Sequence, residues 1–581
     1  MRSSFIRIST ILLGLGILAA SAPSIAAPAP TCPQDTGIVL SPGFCASVFA
    51  DKLGHARHLA VAPNGVVYVN TWSGVYYGND KVPDGGFLIA LKDSGNTGHA
   101  DVVQRFGDGV PQGSKGGTGI RVYNGYVYAE QNDRIIRYQL SSNSVAPTGT
   151  PEVVLSGLPI TGDHPMHPFI IDARGGLFVD LGSATNDCER ENRVPGSPGN
   201  QPCTEKETRG GTWRYDANKL GQKFSAAERY AAGIRNGEGM AIDASGQILV
   251  TQHGRDQLLQ DWPALYKPDQ GPELPAEELV ALKQGADYGW PECYYDGLQQ
   301  KLVLGPEYGG DGGKTVGLCA QRTAPIAAFP AHWAPMAVLI VADERFPRSY
   351  REGAFISFHG SWNRAPAPQA GYNVVFQPLK DGKASGKFVV FADGFAGAVK
   401  EPGESVYRPT GLAVGPDGSL YISDDNRGRI WRVTYHGSAD AAIAAAPAVT
   451  ATSSSSANAL PPEGIHPDAG KSAQTLSPPP GVSPDQVALG ERIFHGRVSG
   501  GTCAGCHGSN AKGSPIGSDL SAGQWLWSDG SLPGLIQTIN AGVPKPKQHL
   551  GAMPPRGGAP LSDSDVQAVA AYVWAVGHSA H

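Results

Sequence analysis

LAVAPNGVVYVNTW, Leu59 to Trp72, is a short apolar strand, a turn at Asn64-Gly65 and a second strand of alternating apolar residues. The turn dipeptide supplies the positive φ that a tight hairpin needs. The pattern returns along the chain. IRVYNGYVYAEQNDRIIRY starts at Ile120, FIIDARGGLFVDLGS at Phe169, MAIDASGQILVTQHG at Met240 and GLAVGPDGSLYISDDNRGRIWRV at Gly411. A weaker copy, AVLIVADERFPRSYREGAFISFHG, starts at Ala337 and carries a longer insertion. Six antiparallel units at such spacings predict a six-bladed β-propeller, in which radial repetition protects the sheet edges. A β-sandwich is the competing arrangement. Long connections, such as 186–212 and 255–289, are where a propeller builds its site.

A chain of 581 residues is too long for one core. Charged residues make up 17% and the formal net charge is -6, with no long basic run, which argues against nucleic acid as partner. Arg2 and Arg7 precede an apolar run from Ile11 to Ala20 and then Ser24-Ile25-Ala26-Ala27, the pattern of a secretory signal peptide over 1–27. No other run is long enough to span a membrane, so export to the periplasm or the medium is expected. Six of the eight cysteines fall into sequence-near pairs, expected as Cys32–Cys45, Cys188–Cys203 and Cys293–Cys319, although six cysteines allow about fifteen connectivities. Residues 437–480 are rich in Ala, Ser, Thr and Pro and read as a linker. It divides a propeller over 28–436 from a small all-α domain over 481–581.

That small domain contains GTCAGCHGS, Gly501 to Ser509. Two thiols three positions apart, Cys503 and Cys506, followed by His507, form a covalent c-type haem site with His507 as an iron ligand. Met553, in GAMPPRG, is the expected second axial ligand, and His549 competes with it. PDQVALGERIFHG from Pro484 and LPGLIQTINAGV from Leu532 read as helices, and a last one starts at a Ser562-x-x-Asp565 capping box and places Val566, Val569, Val573 and Trp574 on its buried face. The domain resembles monohaem cytochromes c.

A tethered electron carrier suits a propeller that performs an oxidation. No GxGxxG opens a helix after a strand, so a Rossmann-bound nicotinamide or flavin is not expected. GDHPMHPFIIDARGGLFVDLGS, GIRNGEGMAID, TQHGRD, GADYGWPE, HWAP, HGSWNR and VYRPTGLAVGPDGSLYISDD occur in that order. They resemble the soluble pyrroloquinoline-quinone (PQQ) sugar dehydrogenase family, in its aldose and sorbosone dehydrogenase-like branch. The resemblance implies a six-bladed propeller that binds PQQ and calcium on one face and oxidises a sugar to a lactone or acid. It implies His164 as the catalytic base, with His167 as a rival and Asp163 beside it. It places Arg235 and Asn236 at the quinone, with Arg235 counted as catalytic. Arg408 would bind a PQQ carboxylate, His332 and His359 would line the pocket, and main-chain oxygens of Gly254 and Arg255 would hold calcium. Three carboxylates call for guanidinium donors, and calcium prefers oxygen. Implied partners are a small sugar and a downstream acceptor, a cytochrome or a respiratory oxidase or quinone system.

Other readings are a calcium-dependent lactonase and a non-enzymatic carbohydrate-binding propeller that carries a cytochrome. Eight-bladed quinoprotein alcohol dehydrogenases carry adjacent cysteines, and this chain has no Cys-Cys pair.

Overall fold

The computed structural model describes Cys32, residues 36–71, 84–107, 117–364, 367–400 and 405–449, and most of 476–579. The predicted signal segment, 1–27, and the middle of the predicted linker, 450–475, lie outside the described residues.

Six mainly antiparallel sheets follow one another as six blades, with one short parallel pairing of Gln222–Lys223 on Glu152–Ser156 at the outer edge of blade two. Their innermost strands are Ala56–Val61, Ile120–Tyr123, Phe169–Ile171, Met240–Ile242, Pro335–Ile340 and Pro409–Val414. Each touches the next, and the sixth touches the first, so they form a closed ring. Closure is made by the N-terminal end of the propeller. Phe44–Ala50 pairs antiparallel with Ile430–Tyr435 and supplies the outer strand of blade six.

The core is a set of layers between blades. Val127, Tyr128 and Ala129 are consecutive and all 0% exposed. Val127 and Ala129 pack toward blade one with Tyr68 and Leu88, while Tyr128 packs toward blade three with Val179 and Trp213. A period of two therefore fills both faces of each sheet. This is why the strands read as nearly continuous apolar runs.

The turns are less uniform than the dipeptides suggest. Asn124-Gly125, with φ 46° and 78°, joins directly opposed strand ends, Tyr123 to Tyr126, as a two-residue hairpin, and Asp381-Gly382 does the same between Lys380 and Lys383. The turns after Asp172 and Asp243 are longer. There the aspartate oxygen accepts the N–H of Gly176, which starts the next strand, at 2.8 Å, or of Gln247, just before it, at 3.0 Å.

All three expected disulfides are present. Cys32–Cys45 anchors the chain before the closing strand, and the other two staple the long insertions of blades three and four. Residues 437–449 remain against the propeller, because Ala446 N–H donates to Val390 O at 2.7 Å and Ala444 O accepts from Ser41 and Tyr350. The change in composition thus precedes the end of packing.

The C-terminal domain has helices at Pro484–Phe494, Cys503–His507, Leu532–Ala541 and Asp563–Gly577. Ser562 and Asp565 form the capping box. The first and last helices cross closely at Gly490, where a side chain would meet Ala568 O. Val566, Val569 and Val573 are buried. Trp574 is only partly buried at the edge of this core, and its ring stacks on His578.

Candidate active site

In an antiparallel blade the start of the innermost strand and the end of the second strand lie on the same rim. His164, Arg235, His332 and Arg408 precede innermost strands. Gly254 and His359 follow second strands, as does Asp425. The ring therefore gathers residues from blades three to six on one face.

His164 is 8% exposed. Its Nδ1 lies 3.1 Å from Ser183 O and 3.0 Å from Ser183 Oγ, and that hydroxyl donates to Thr185 O at 2.6 Å. Nδ1 is thus the protonated nitrogen, and Nε2 is left as the basic one. Burial, reinforced by Arg235 and Arg193, holds its pKa well below the usual histidine value. His167 differs. Its Nε2 donates to Pro159 O at 2.9 Å and its Nδ1 meets Glu130 Oε1 at 3.1 Å. Both ring nitrogens are committed, so His167 positions the loop and has no lone pair facing the site.

Arg235 donates to Asn186 O at 2.9 Å, Asn186 Oδ1 at 2.8 Å, Gly254 O at 3.0 Å and Asp256 Oδ2 at 2.9 Å. Asn236 is buried beside it, and its carbonyl accepts His253 N–H. Asp256 also receives Arg193 at 3.1 Å and Asn363 at 2.8 Å. Burial opposes ionisation of Asp256, but Arg235 and Arg193 outweigh it and hold the carboxyl well below the usual range. Arg193 bonds Asp163 at 2.9 Å. His332 Nε2 donates to Gly271 O at 3.0 Å, and burial lowers its pKa.

On the other side of the ring, Arg408 donates to His359 O at 3.2 Å and Gly360 O at 3.1 Å. His359 Nε2 meets Asp425 Oδ1 at 2.7 Å, and Asp425 also pairs with Arg57 at 2.9 Å. Burial, then Arg408, pulls His359 down to about 4. Glu238 lies deeper. Neither of its oxygens has a hydrogen-bond partner among the described residues, Arg57 being 3.8 Å away, and burial pushes it up to about 7.

The expected calcium position is differently arranged. Gly254 O already accepts Arg235, and the Arg255 side chain turns into a buried cage of Asp187, Asp261 and Glu307. Among the described residues no group of three or more His, Cys, Asp or Glu side chains is arranged to hold a metal ion.

In the small domain Cys503, Cys506 and His507 sit on one short helix, outside the three disulfides. His507 Nδ1 donates to Ser518 O at 2.9 Å, which leaves Nε2 for iron. Val543 and Met553 exchange backbone hydrogen bonds at 2.7 and 3.0 Å, fixing the methionine loop across the crevice. Two adjoining cavities share Cys503, His507, Met553, Val543 and Trp527. His549 lines only the first. Apolar walls, two thiols and a thioether suit a covalently held haem. On the propeller, the buried Arg57, Arg193, Arg235 and Arg408 suit a ligand with several carboxylates.

Arg57, Arg193, Asp256, Asp425 and Glu238 were not singled out by sequence reasoning. Asp256 ends TQHGRD, Glu238 lies in GIRNGEG and Asp425 ends VYRPTGLAVGPDGSLYISDD, but nothing local in those motifs marks their partners. Arg57 and Arg193 have no local signal, since an arginine is usually exposed.

Residues 38–436 match the TrAA12-like family, and residues 487–577 match cytochrome c. The PQQ-dependent pyranose dehydrogenase of Coprinopsis cinerea is 27% identical over 234 residues, covering 34% of this chain and 30% of its own. The Cbb3-type cytochrome c oxidase subunit CcoP of Rubrivivax gelatinosus is 34% identical over 98 residues, covering 17% of this chain and 28% of its own. The chain thus spans less than a third of the length of either of these two relatives. A structure of the Trichoderma reesei family AA12 enzyme aligns with TM-score 0.54 at 19% identity, over 72% of this chain and 100% of that one, a likeness of fold.

Proposed function

The chain belongs to the TrAA12-like family and carries a cytochrome c domain, and we propose that it is a PQQ- and calcium-dependent dehydrogenase of an aldose-type sugar, sorbosone-like or a pyranose, giving a lactone or acid. Electrons pass to its own haem and on to an external acceptor, a cytochrome or a respiratory oxidase or quinone system. The observation that carries this reading is the rim that holds a buried His164, its Nδ1 fixed by Ser183, and the Arg235–Asp256 pair, with the haem-attachment helix seated on the same rim at Trp362.

Bound PQQ supplies a two-electron quinone acceptor and the haem a one-electron carrier, so each sugar requires two transfers. The chain's own residues do the rest. His164 Nε2 takes the proton of the anomeric hydroxyl, and its Nδ1–H, held by Ser183, keeps the ring in the right tautomer. Arg235 and Arg408 would hold the cofactor's oxygens through their planar donor sets. For calcium, Gly254 O keeps a second lone pair. Glu277, whose Oε2 accepts Gly254 N–H at 2.9 Å, places an acidic group beside it. Export fits the disulfides, which persist in oxidising compartments. Among the described residues no helix is long and apolar enough to cross a membrane.

The test is a haem reduction assay on the full haem-loaded chain with calcium, a panel of aldoses, and PQQ present or absent. Reduction that needs both PQQ and a sugar, and is lost in His164→Ala, is expected. Sugar-dependent reduction of a dye without haem reduction would remove the internal electron route. Neither signal with any sugar would reject the dehydrogenase. Chelation followed by desalting should release PQQ, and retention of the quinone after chelation would remove calcium from the proposal.

A further inference from the structure

The cytochrome domain is seated on the propeller rim through the haem-attachment helix itself. Gly505, between Cys503 and Cys506, lies against Trp362, and a Cβ built on Gly505 would overlap the indole. Trp362 belongs to the loop that also carries His359 and Asn363, which bond Asp425 and Asp256. Gln257, a propeller residue, forms part of the wall of the haem crevice. A second contact sets Gly558, in the loop after Met553, against Gln260. At the edge Lys545 pairs with Glu191 at 3.1 Å, with side chains 80% and 46% exposed.

These contacts bring the two predicted cofactor sites close. Trp362, which meets Gly505, adjoins Asn363, whose Nδ2 donates to Asp256 at 2.8 Å. From the crevice wall a chain of hydrogen bonds runs from Gln257 to Arg193 at 3.1 Å, from Arg193 to Asp256 at 3.1 Å, and from Asp256 to Arg235 at 2.9 Å. Along this chain Arg193 and Asp256 stand between the wall of the haem pocket and the residue expected at the quinone.

We propose that Trp362 and Gly505 form the docking contact that places the haem's thioether edge over the Arg193–Asp256–Arg235 chain, and that Gly505 is kept without a side chain for this purpose. The inference rests on the proposed dehydrogenase activity for its electron-transfer role, while the contact itself is testable without it. The electron balance is that of one sugar: two electrons and two protons leave it for the bound quinone, and both protons are released to solvent as the electrons pass on to haem. The ferric haem accepts one electron at a time and is reoxidised by the external acceptor between the two transfers. Trp362 and Gly505 are positioning residues and touch no reacting atom. The exposed Lys545–Glu191 pair adds little energy, so the contact is governed by shape, and a well-packed tryptophan is the kind of residue that dominates a small interface.

The experiment uses the full haem-loaded chain. A zero-length carbodiimide joins carboxylates to amines in contact, and peptide mass spectrometry reads the Glu191–Lys545 cross-link. The wild type should give this cross-link and Gly505→Leu should lose it. The double variant Gly505→Leu with Trp362→Ala, which makes room for the new side chain, should regain it. Sugar-driven haem reduction should slow by about tenfold or more in Gly505→Leu, with sugar-to-dye activity unchanged, and recover in part in the double variant. Absence of the cross-link from the wild type, or its persistence in Gly505→Leu, would overturn the contact. A cross-link that behaves as expected while haem reduction is indifferent to the variants would overturn its electron-transfer role. If no sugar reduces haem or dye in any variant, the dehydrogenase reading and that role fall together, and the cross-link still decides the contact.

Discussion

Replacing Asp256 by asparagine removes one charge from the middle of the site with almost no change of shape. The carboxylate holds Arg235 at 2.9 Å, Arg193 at 3.1 Å and Asn363 at 2.8 Å. Removing one partner of a buried ion pair costs about 3–5 kcal/mol, because the remaining charge stays desolvated. The low end applies here. Arg193 keeps Asp163, and Arg235 keeps oxygens of Asn186 and Gly254. Urea unfolding of the propeller, followed by tryptophan fluorescence, should therefore show Asp256→Asn to be less stable by about 3 kcal/mol at pH 7. The pH dependence has a definite sign. The folded pKa of Asp256 is depressed, so its contribution is full above the unfolded value and is lost as pH falls through the folded one. The difference between wild type and variant should stay constant from pH 7 to about 4 and shrink below that. A loss at pH 7 under about 1 kcal/mol, the size of an exposed pair, would refute the claim that this charge is structurally central.

Other expectations follow from the same geometry. His164→Ala should lower sugar-dependent dye reduction by at least about a hundredfold, whereas His167→Ala should act on stability, by about 1–3 kcal/mol, because it leaves Glu130 short of a buried partner. Because the His164 pKa is lowered, its imidazole stays basic below the usual histidine value, so the acidic limb of kcat/KM should fall below about pH 6.5; a limb at or above that value would contradict the assignment. Met553→Ala should lower the haem potential in a redox titration, since a thioether ligand raises it, while His549→Ala should leave it unchanged. Glu238→Gln should stabilise the propeller at pH 8 by up to about 3 kcal/mol, the raised folded pKa of this carboxyl making it a penalty that grows between its unfolded and folded values and vanishes below about pH 4; denaturation at the two pH values measures this.

Local chemistry made much of this protein legible from its sequence. A strand that buries both faces, a Gly-containing turn and a second such strand recur as a hairpin even where the turn length varies, so the repeats declared the propeller and its six blades. The haem motif is local too, since Cys503, Cys506 and His507 share one helical turn. The disulfides join cysteines 13, 15 and 26 positions apart. The capping box and the apolar face of the last helix are of the same kind. What only the tertiary structure decided is the pairing of charges across the rim. Arg57 meets Asp425, and Arg193 meets Asp256, because ring closure brings the ends of different blades together. No pattern within a blade encodes such partners, and an isolated arginine reads as a surface residue. The choice between His164 and His167 was likewise open in sequence. The structure distinguishes the two rings by their acceptors, Pro159 O and Glu130 for His167 and Ser183 for His164. The contact of Gly505 with Trp362 joins residues from separate domains, and a glycine inside a haem motif gives no local sign of what it was kept small to meet.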